Sequence, residues 1–443
     1  MPVEPKPLFR PDALRPYLKT FQLPENISAQ REIVTKWATF LGSDQGAAFR
    51  EQELLPDFVD DIFCKLLGYD RPADNPDRYT RAREKYIQVD GKYADAVLGE
   101  FRQDSNGRPI VALEGKGPTD PLERPFAGRK KSAVDQGYGY AINLPCDWII
   151  VTSMRQTRLY HKGSDQQTYE RFDINDLANS DSAFRKFVFL LGAERVVPLV
   201  GQCHFKNLKD ASDKVGKTLT KQFYLEYADI RQDVFETLCK ENPEESRHEI
   251  LAATQKLLDR VLFTAFCEDR KLLPEETLKK AFEHPNPYDE SPIWKNFCGL
   301  FRSIDAGNQQ LDIPPYNGGL FADDPFLERL TVPDDVCAHF RDLGKYDYRP
   351  PSEVAVDSDD EKKKRLIDVE ILGHIFEQSI TDLEQIRNEL DGLVKPLGKE
   401  KHKTRRKKEG AFYTPEFITR YIIEQTLGGV KWTPIFGPRE PVS

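Results

Sequence analysis

Three charged side chains lie at the ends of two apolar stretches of the sequence. The stretch VALEGKG (111–117) carries Glu114 and Lys116 two positions apart. The earlier stretch YADAVLGEF (93–101) carries Asp95. Because side chains two apart on a strand point to the same face, Glu114 and Lys116 project together. The intervening QDSNGRP predicts a turn, so the strands form a hairpin that brings Asp95 beside Glu114. The alternative is a strand whose polar end runs out into solvent.

Two carboxylates and an amine that converge in this way have the equipment for phosphodiester hydrolysis. Asp95 and Glu114 supply the oxygen ligands that Mg²⁺ prefers, and the ion keeps waters that leave room for a phosphate oxygen and an attacking water. Lys116 adds positive charge, which lowers the pKa of that water and offsets negative charge in the transition state. A second Glu-x-Lys, Glu361 with Lys363, lies in SDDEKKKR without an apolar strand before it, which indicates solvated surface.

A helix is predicted after the hairpin. The stretch SAVDQGYGYAINL (132–144) begins with Ser132 three residues before Asp135, a pattern close to a capping box. Gln136 and Tyr140 are four apart and share one face of this helix. Simple helix packing is the alternative for both residues, and it is the favoured interpretation for Tyr140.

The segments YADAVLG, VALEGKG and DQGYGYA together resemble the PD-(D/E)XK nuclease superfamily. The resemblance implies that Asp95 and Glu114 bind the metal and that Asp95, Glu114 and Lys116 are catalytic. Ala94 stands where the motif has its proline, a substitution that the superfamily often shows. Gln136 and Tyr140 resemble the QxxxY element of related nucleases, in which the glutamine helps to organise the site or to contact DNA.

The resemblance also draws attention to an acidic residue near the start of the chain. Glu51 and Glu53 lie on a predicted helix where such nucleases sometimes carry an additional metal-associated acid. Glu51 is therefore a further catalytic candidate. The alternative is an exposed helix glutamate, and this interpretation has more weight for Glu53.

Further segments look like the single-chain restriction-modification enzymes of type IIG. These segments are FCEDRKLLPEETL, YNGGLFADDPFLERL, LGHIFEQSITDLE and GAFYTPEFI. In that family a nuclease is joined through a helical connector to an adenine-specific DNA methyltransferase. The resemblance implies that Phe412, Thr414 and Pro415 help to line an S-adenosylmethionine site in the full-length protein. A helix start with Thr414 as N-cap and Pro415 at the first helical position explains the same residues.

Two methyltransferase motifs should follow residue 415, and the sequence contains neither of them. They are a glycine-rich cofactor loop and an Asn-Pro-Pro-aromatic motif for the flipped adenine. We therefore expect the methyltransferase domain to be incomplete, through truncation of the chain or of its gene.

The predicted fold is an α/β nuclease domain followed by a mainly α-helical connector domain. The resemblance implies that the first has a PD-(D/E)XK-like mixed sheet flanked by helices. Long helical periodicities then dominate the sequence. The predicted domains are an N-terminal extension (1–27), the nuclease domain (28–175), the helical connector (176–395), a basic linker (396–409) and the start of a methyltransferase domain (410–443).

The composition is that of a globular protein with a strongly charged surface. Of the 443 residues 39% are hydrophobic and 31% are charged, and the net charge is −9. This charge argues mildly against non-specific coating of DNA, although binding depends on local patches. Three basic runs, at 128–131, 362–365 and 399–408, fit either a solvated stretch or a DNA contact.

The cysteines and the N-terminus indicate in which cellular compartment the protein is expected. The seven cysteines are dispersed without zinc-site spacing, so we expect reduced core residues and no structural zinc. The N-terminus has no apolar core of signal-peptide length, and nothing in the sequence resembles a membrane span. The cytoplasm is therefore the expected location, and a membrane is not an expected partner.

These observations favour the Mg²⁺-dependent endonuclease portion of a restriction-modification enzyme that acts on double-stranded DNA. S-adenosylmethionine is expected only in the full-length protein, and self-association is a further expectation for cutting both strands. Two alternatives stay open: a DNA-binding connector with a vestigial nuclease, and a repair or recombination nuclease. Intact Asp95, Glu114 and Lys116 weigh against the first, and GAFYTP is unexplained by the second.

Overall fold

The computed structural model describes most of the chain up to residue 392. The described residues are 5–24, 27–83, 94–103, 107–284, 288, 291–316, 318–351, 354 and 365–392. The predicted linker and methyltransferase start, with Phe412, Thr414 and Pro415, lie outside these residues.

Packing divides the chain into two units. The first unit is Met1–Val215 with Val354–Ser358, and the second is Gly216–Glu353 with Asp359–Ser443. This division falls beyond residue 175, where the sequence predicts the end of the nuclease domain. The predicted boundaries remain predictions, because a division by packing does not decide where an independently folding domain begins.

The first unit contains a mixed sheet of six strands that lie side by side in chain order. The strands are β1 (Tyr79–Ala82), β2 (Ala96–Phe101), β3 (Arg108–Gly115), β4 (Trp148–Thr152), β5 (Gln156–His161) and β6 (Tyr169–Asp173). Strands β3 and β4 are parallel, and every other neighbouring pair is antiparallel. The predicted hairpin of β2 and β3 is confirmed. The stretch CDWIIVTSMRQTRLYH (146–161) also predicts two strands around a short turn, which are β4 and β5, whereas no sequence pattern indicated β1 or β6.

Helices surround this sheet. In chain order they are α1 (Pro11–Thr20), α2 (Ile27–Gly42), α3 (Asp44–Ala48), α4 (Glu51–Val59), α5 (Ala133–Asn143), α6 (Ile174–Asn179), α7 (Asp181–Leu191), α8 (Ala193–Val196) and the first part of α9 (His204–Glu241). A π-helical segment, Asp60–Leu66, continues α4. It ends before Gly68, whose φ of +80° is a conformation that glycine adopts without a Cβ penalty.

Alternating strand residues build a core on each face of the sheet. Leu98, Val111 and Leu113 are buried on the face covered by α2 and α4, in a cluster that also includes side chains of α1 and α7. The intervening residues Val97 and Ala112 are buried on the opposite face with side chains of α5. Because alternate residues of these strands are buried on opposite faces of the sheet, the strand sequences are nearly continuous apolar runs. The predicted α/β layering is therefore present.

The N-terminal segment packs into the same unit. Phe9 is fully buried, and its ring packs against Trp148 and Phe205 with centroids 6.2 Å away in each case. Its backbone N–H donates to the buried carboxylate of Glu170 over 2.8 Å. Residues before position 28 thus contribute directly to the core beneath the sheet.

Helix α5 begins as its sequence predicts. The Ser132 hydroxyl accepts from the Asp135 backbone N–H at 3.0 Å, and the Asp135 carboxylate accepts from the Ser132 N–H at 3.3 Å. This confirmed capping box satisfies two otherwise unpaired donors and fixes where the helix starts. The helix connects the parallel strands β3 and β4 and lies across them.

In the described residues of the second unit, the regular secondary structure is helical, apart from isolated β-bridges. Its helices are the rest of α9, α10 (Arg247–Asp269), α11 (Thr277–Glu283), α12 (Pro292–Ala306), α13 (Pro325–Arg329), α14 (Asp334–Leu343) and α15 (Val369–Leu390), with a 3-10 turn at Gln309–Leu311. Buried Arg231 on α9 donates to Ser379 at 2.7 Å and to Asp382 at 3.0 Å, both on α15. The predicted helical part of the chain is confirmed.

All seven cysteines are free thiols, three of them buried and four half-buried. In the part of the chain that the structure describes, no helix is long and apolar enough to cross a bilayer.

Candidate active site

The hairpin register places two acidic side chains next to each other. Ala96 of β2 pairs with Leu113 of β3, so Asp95, just before β2, lies beside Glu114. The Asp95 Oδ2 atom accepts the backbone N–H of Gly115 over 2.7 Å. Burial raises the Asp95 pKa, and the positive charge of Lys116 and the hydrogen bond from Gly115 oppose this rise. The two carboxyl groups that the sequence predicts to converge therefore lie side by side in the register of the hairpin.

Lys116 completes this group from the end of the same strand. Its backbone N–H donates to the Thr152 carbonyl over 2.7 Å, which extends the β3–β4 ladder past the last residue of β3. The side chain is 7% exposed. Its ammonium group is ion-paired with the Glu114 carboxylate and donates to the Gly115 carbonyl at 2.7 Å. The predicted alignment of Glu114 and Lys116 on one face is present.

Burial controls the protonation of these groups. Glu114 is 2% exposed, and this burial raises its pKa to about 8 against the opposing charge of Lys116, while the negative charge of Asp95 pushes the pKa further upward. Burial alone lowers the Lys116 pKa, but the surrounding carboxylates outweigh it, so the net direction is upward. Lys116 is thus held as a cation. Without a nearby positive charge, ionisation of the buried carboxyl groups around it would be unfavourable.

Glu51 reaches the site from a different part of the chain. It is the first residue of α4, and its Oε1 atom lies 3.7 Å from the Lys116 Nζ atom. The side chain of Leu55, one turn later, packs where a Cβ on Gly115 would lie, with the Leu55 Cδ1 atom only 2.3 Å from that position. The absence of a side chain at Gly115 lets α4 approach closely and bring Glu51 over the end of β3.

Glu53 has a different partner. Its Oε2 atom accepts the backbone N–H of Arg50 over 2.9 Å at the start of α4. This bond satisfies a donor at the helix terminus, which is a local stabilising role.

Helix α5 carries Gln136 and Tyr140, which have different surroundings. The Gln136 side-chain amide donates to the backbone carbonyls of Ser132 at 3.2 Å and Lys131 at 3.4 Å. Buried Tyr140 has a raised pKa, mainly through burial and further through the charges of Glu114 and Asp95. The supporting role of Gln136 remains a prediction. The sequence signal that pointed to Tyr140 was its spacing of four residues from Gln136. Simple helix packing was the favoured interpretation of Tyr140.

The donor set suits a hard divalent cation better than zinc. Asp95 and Glu114 offer carboxylate oxygens, and Mg²⁺ is commonly held by one or two carboxylates with waters in its other positions. Among the residues that the structure describes, no group of three or more His, Cys, Asp or Glu side chains forms a ready-made metal site. Two buried carboxyl groups with raised pKa values nonetheless gain from a nearby cation. The residues fit Mg²⁺ as partial ligands.

A sizeable cavity of the first unit lies elsewhere. It has a volume of about 600 Å³ and is lined by residues at the start of β3 and β4, including Arg108 and Trp148, and by Lys206 and Lys209 of α9. The carboxylates lie at the other end of these two strands. Cavity size therefore does not identify the acidic site, which is recognised by its charges.

Similarity to known proteins is limited. No family model matches the chain. It is 22% identical over 192 residues to a putative type II restriction enzyme and methyltransferase of Methanocaldococcus jannaschii, a match that covers 39% of this chain and 14% of that protein. Among solved structures, the DrdV–DNA complex determined by cryo-electron microscopy aligns with 89% of this chain and 31% of its own chain, at 15% identity and a TM-score of 0.22. This chain spans a minor part of both proteins, and a TM-score of this size establishes no common fold.

The two glutamates at the start of α4 provide a matched pair of substitutions. Glu51→Ala is expected to lower DNA cleavage by about 10–100-fold through its effect on Lys116, with a change in unfolding free energy below about 0.5 kcal/mol, because the side chain is 38% exposed. Glu53→Ala is expected to cost about 0.5–2 kcal/mol through loss of the terminal hydrogen bond and to leave cleavage unchanged. Urea denaturation and plasmid cleavage measure both effects. Equal cleavage by the two variants would remove Glu51 from the site.

Proposed function

We propose that this chain is the endonuclease part of a restriction-modification enzyme, and that it hydrolyses double-stranded DNA with Mg²⁺ by a PD-(D/E)XK-type site. The observation that carries this proposal is the hairpin register that places Asp95 beside Glu114, with the Lys116 ammonium group paired to Glu114. Buried acids with raised pKa values concentrated at one point are common at functional sites.

Each side chain has a defined part in such a reaction. Asp95 and Glu114 would hold Mg²⁺, which supplies polarisation of a phosphate oxygen and of the attacking water when bound. Lys116 keeps positive charge beside the phosphate and stabilises the negative charge that develops while the bond to the leaving oxygen breaks. Glu51 holds the Lys116 amine in place from the side of α4. Gln136 keeps a proposed supporting role through the start of α5.

The named relative supports the wider assignment. It is called both a restriction enzyme and a methyltransferase, and GAFYTP near the end of this chain resembles a methyltransferase motif. We accordingly extend the proposal to the type IIG arrangement, with cleavage at specific sites, adenine methylation and S-adenosylmethionine contacts at Phe412, Thr414 and Pro415 in the full-length protein. Self-association on DNA is part of the same proposal.

Metal binding and cleavage by the 443-residue chain test this function. Calorimetric titration with Mg²⁺ is expected to give saturable binding that Asp95→Asn removes. Incubation with unmodified supercoiled plasmid is expected to give nicked or linear DNA in Mg²⁺ and intact plasmid in EDTA. Plasmid that stays intact in both Mg²⁺ and Mn²⁺ would overturn the nuclease assignment and favour the DNA-binding connector with a vestigial nuclease.

A further inference from the structure

The segment between β3 and α5 starts at the active site. This segment, residues 117–131, follows Lys116 directly and ends just before Ser132, the N-cap residue of α5. A Cβ on Gly117 would lie 3.8 Å from the Cβ atom of Glu51, which places the first residue of the segment beside the acids. The Asp120 N–H then donates to the Gly117 carbonyl over 3.0 Å and turns the chain. We call residues 117–131 the β3–α5 loop.

An ion pair between exposed Glu123 and buried Arg158 holds the middle of this loop against the sheet. The Glu123 carboxylate accepts from the Arg158 guanidinium over 2.8 Å. Glu114, Val151 and Arg158 are in register across β3, β4 and β5. At about 4.8 Å per strand, Arg158 is roughly 10 Å from Glu114 in the same row. The loop therefore crosses the sheet at the level of the catalytic residues.

Two further contacts fix the loop on either side of Glu123. Leu122 is 1% exposed, and its carbonyl accepts the N–H of Val134 at the start of α5. Arg129 is ion-paired with Asp120 across the base of the loop. Leu122 also has a φ of +64°, a conformation that costs energy for a residue with a side chain and that fixed surroundings must maintain. These contacts pre-organise the loop.

The outer part of the fixed loop carries exposed basic and aromatic side chains. Its sequence is RPFAGRKK (124–131), which contains no acidic residue. Arg124, Lys130 and Lys131 are exposed, and Phe126 is 40% exposed, which is unusual for a phenylalanine. In a chain with a net charge of −9 this is a local concentration of positive charge on the loop that begins beside the acids. Anionic polymers that approach the site meet this surface.

We infer that the β3–α5 loop is a contact surface for the DNA backbone, with Arg124, Lys130 and Lys131 on phosphates and Phe126 against the neighbouring sugars. The inference deepens the proposed function, on which it rests, by naming how the substrate is held beside Asp95 and Glu114. Contacts of this kind fix the position of the duplex and carry no sequence information. The loop therefore contributes binding that is equal for all sequences.

Metal-free binding of the 443-residue chain to a fluorescent duplex, measured by anisotropy at a series of salt concentrations in EDTA, tests the inference. Each phosphate contact that is lost reduces the magnitude of the slope of log K against log salt by about 0.9. The triple variant Arg124→Gln/Lys130→Gln/Lys131→Gln is therefore expected to reduce this magnitude by about 2–3. Phe126→Ala is expected to weaken binding without a change in slope. The control Arg102→Gln/Arg108→Gln changes two exposed residues at the far end of the same hairpin and is expected to keep the wild-type slope.

The outcomes separate this inference from the proposed function. An unchanged slope in the triple variant, or an equal decrease in the control, overturns the loop contact. A wild-type chain that does not bind the duplex overturns it as well. If the triple variant lowers the slope while the wild-type chain fails to cleave in Mg²⁺ or Mn²⁺, the loop contact stands and the hydrolytic assignment fails.

Discussion

Asp95→Asn and Glu114→Gln are each expected to lower the rate of DNA cleavage by about 10²–10³-fold, because each removes a charge aimed at the reacting centre. Calorimetric titration should show that both variants also lose Mg²⁺ binding. Melting temperatures near that of the wild type are expected, since each change removes one acid from a buried group in which the acids repel one another.

Lys116→Met separates the contribution of the amine from that of the metal. Cleavage is expected to fall by a similar factor, whereas Mg²⁺ binding is retained, because the substitution leaves both carboxylates in place and removes a competing positive charge. Glu114, whose pKa is raised to about 8 even beside the lysine, can take up a proton in this variant, so the protein stays folded. Full cleavage by Lys116→Met would contradict the assignment. Glu100→Gln, at the other end of β2, is the control and is expected to cleave normally.

Gly137→Ala is expected to destabilise the first unit, although alanine favours helices. A Cβ at this position would lie 2.8 Å from the Ile149 Cγ2 atom and 3.1 Å from the Val151 Cγ2 atom, both on stiff β-branched side chains. Such overpacking typically costs about 1–3 kcal/mol. The helix must shift away from β4, and Tyr140 moves with it relative to Glu114. Cleavage is therefore expected to fall together with stability.

Gly139→Ala on the same helix is the matched control. Nothing lies within 4 Å of its Cβ position, so only the gain in helix propensity remains, about 1 kcal/mol. Because this gain is common to both variants, the difference between their unfolding free energies isolates the cost of overpacking. Urea denaturation of the two proteins measures it. Equal stability of the two variants would show that α5 is free to shift on the sheet.

The local part of the site could be predicted from the sequence. Asp95 directly precedes β2 and Glu114 lies on β3, the next strand in the sequence, so alternation and turn residues are sufficient to predict that they meet. The start of α5 is similarly encoded by Ser132 and Asp135 within four residues. In each case the residues that interact are close in sequence, and a general rule relates their spacing to their geometry.

The long-range part could not be predicted in this way. Glu51 reaches Lys116 only because α4 packs closely over Gly115, and no local pattern encodes that contact. The family resemblance alone had suggested Glu51, as an additional metal-associated acid. Strands β1 and β6 have four and five residues, too few for alternation to distinguish them from loops. The pairing of Glu123 with Arg158 likewise depends on how a loop crosses three strands.

The hydrogen bond from the Gly115 amide to Asp95 gives the site its own spectroscopic reporter. The Oδ2 atom that accepts this proton belongs to a carboxylate that a bound cation would also engage, so the two interactions compete for the same oxygens. In an amide NMR spectrum, the chemical shift and the solvent-exchange rate of the Gly115 proton would follow this competition directly. The neighbouring amide of Lys116, which donates to the Thr152 carbonyl, serves as the internal reference. Occupancy of the acidic pair can thus be observed without DNA and without turnover.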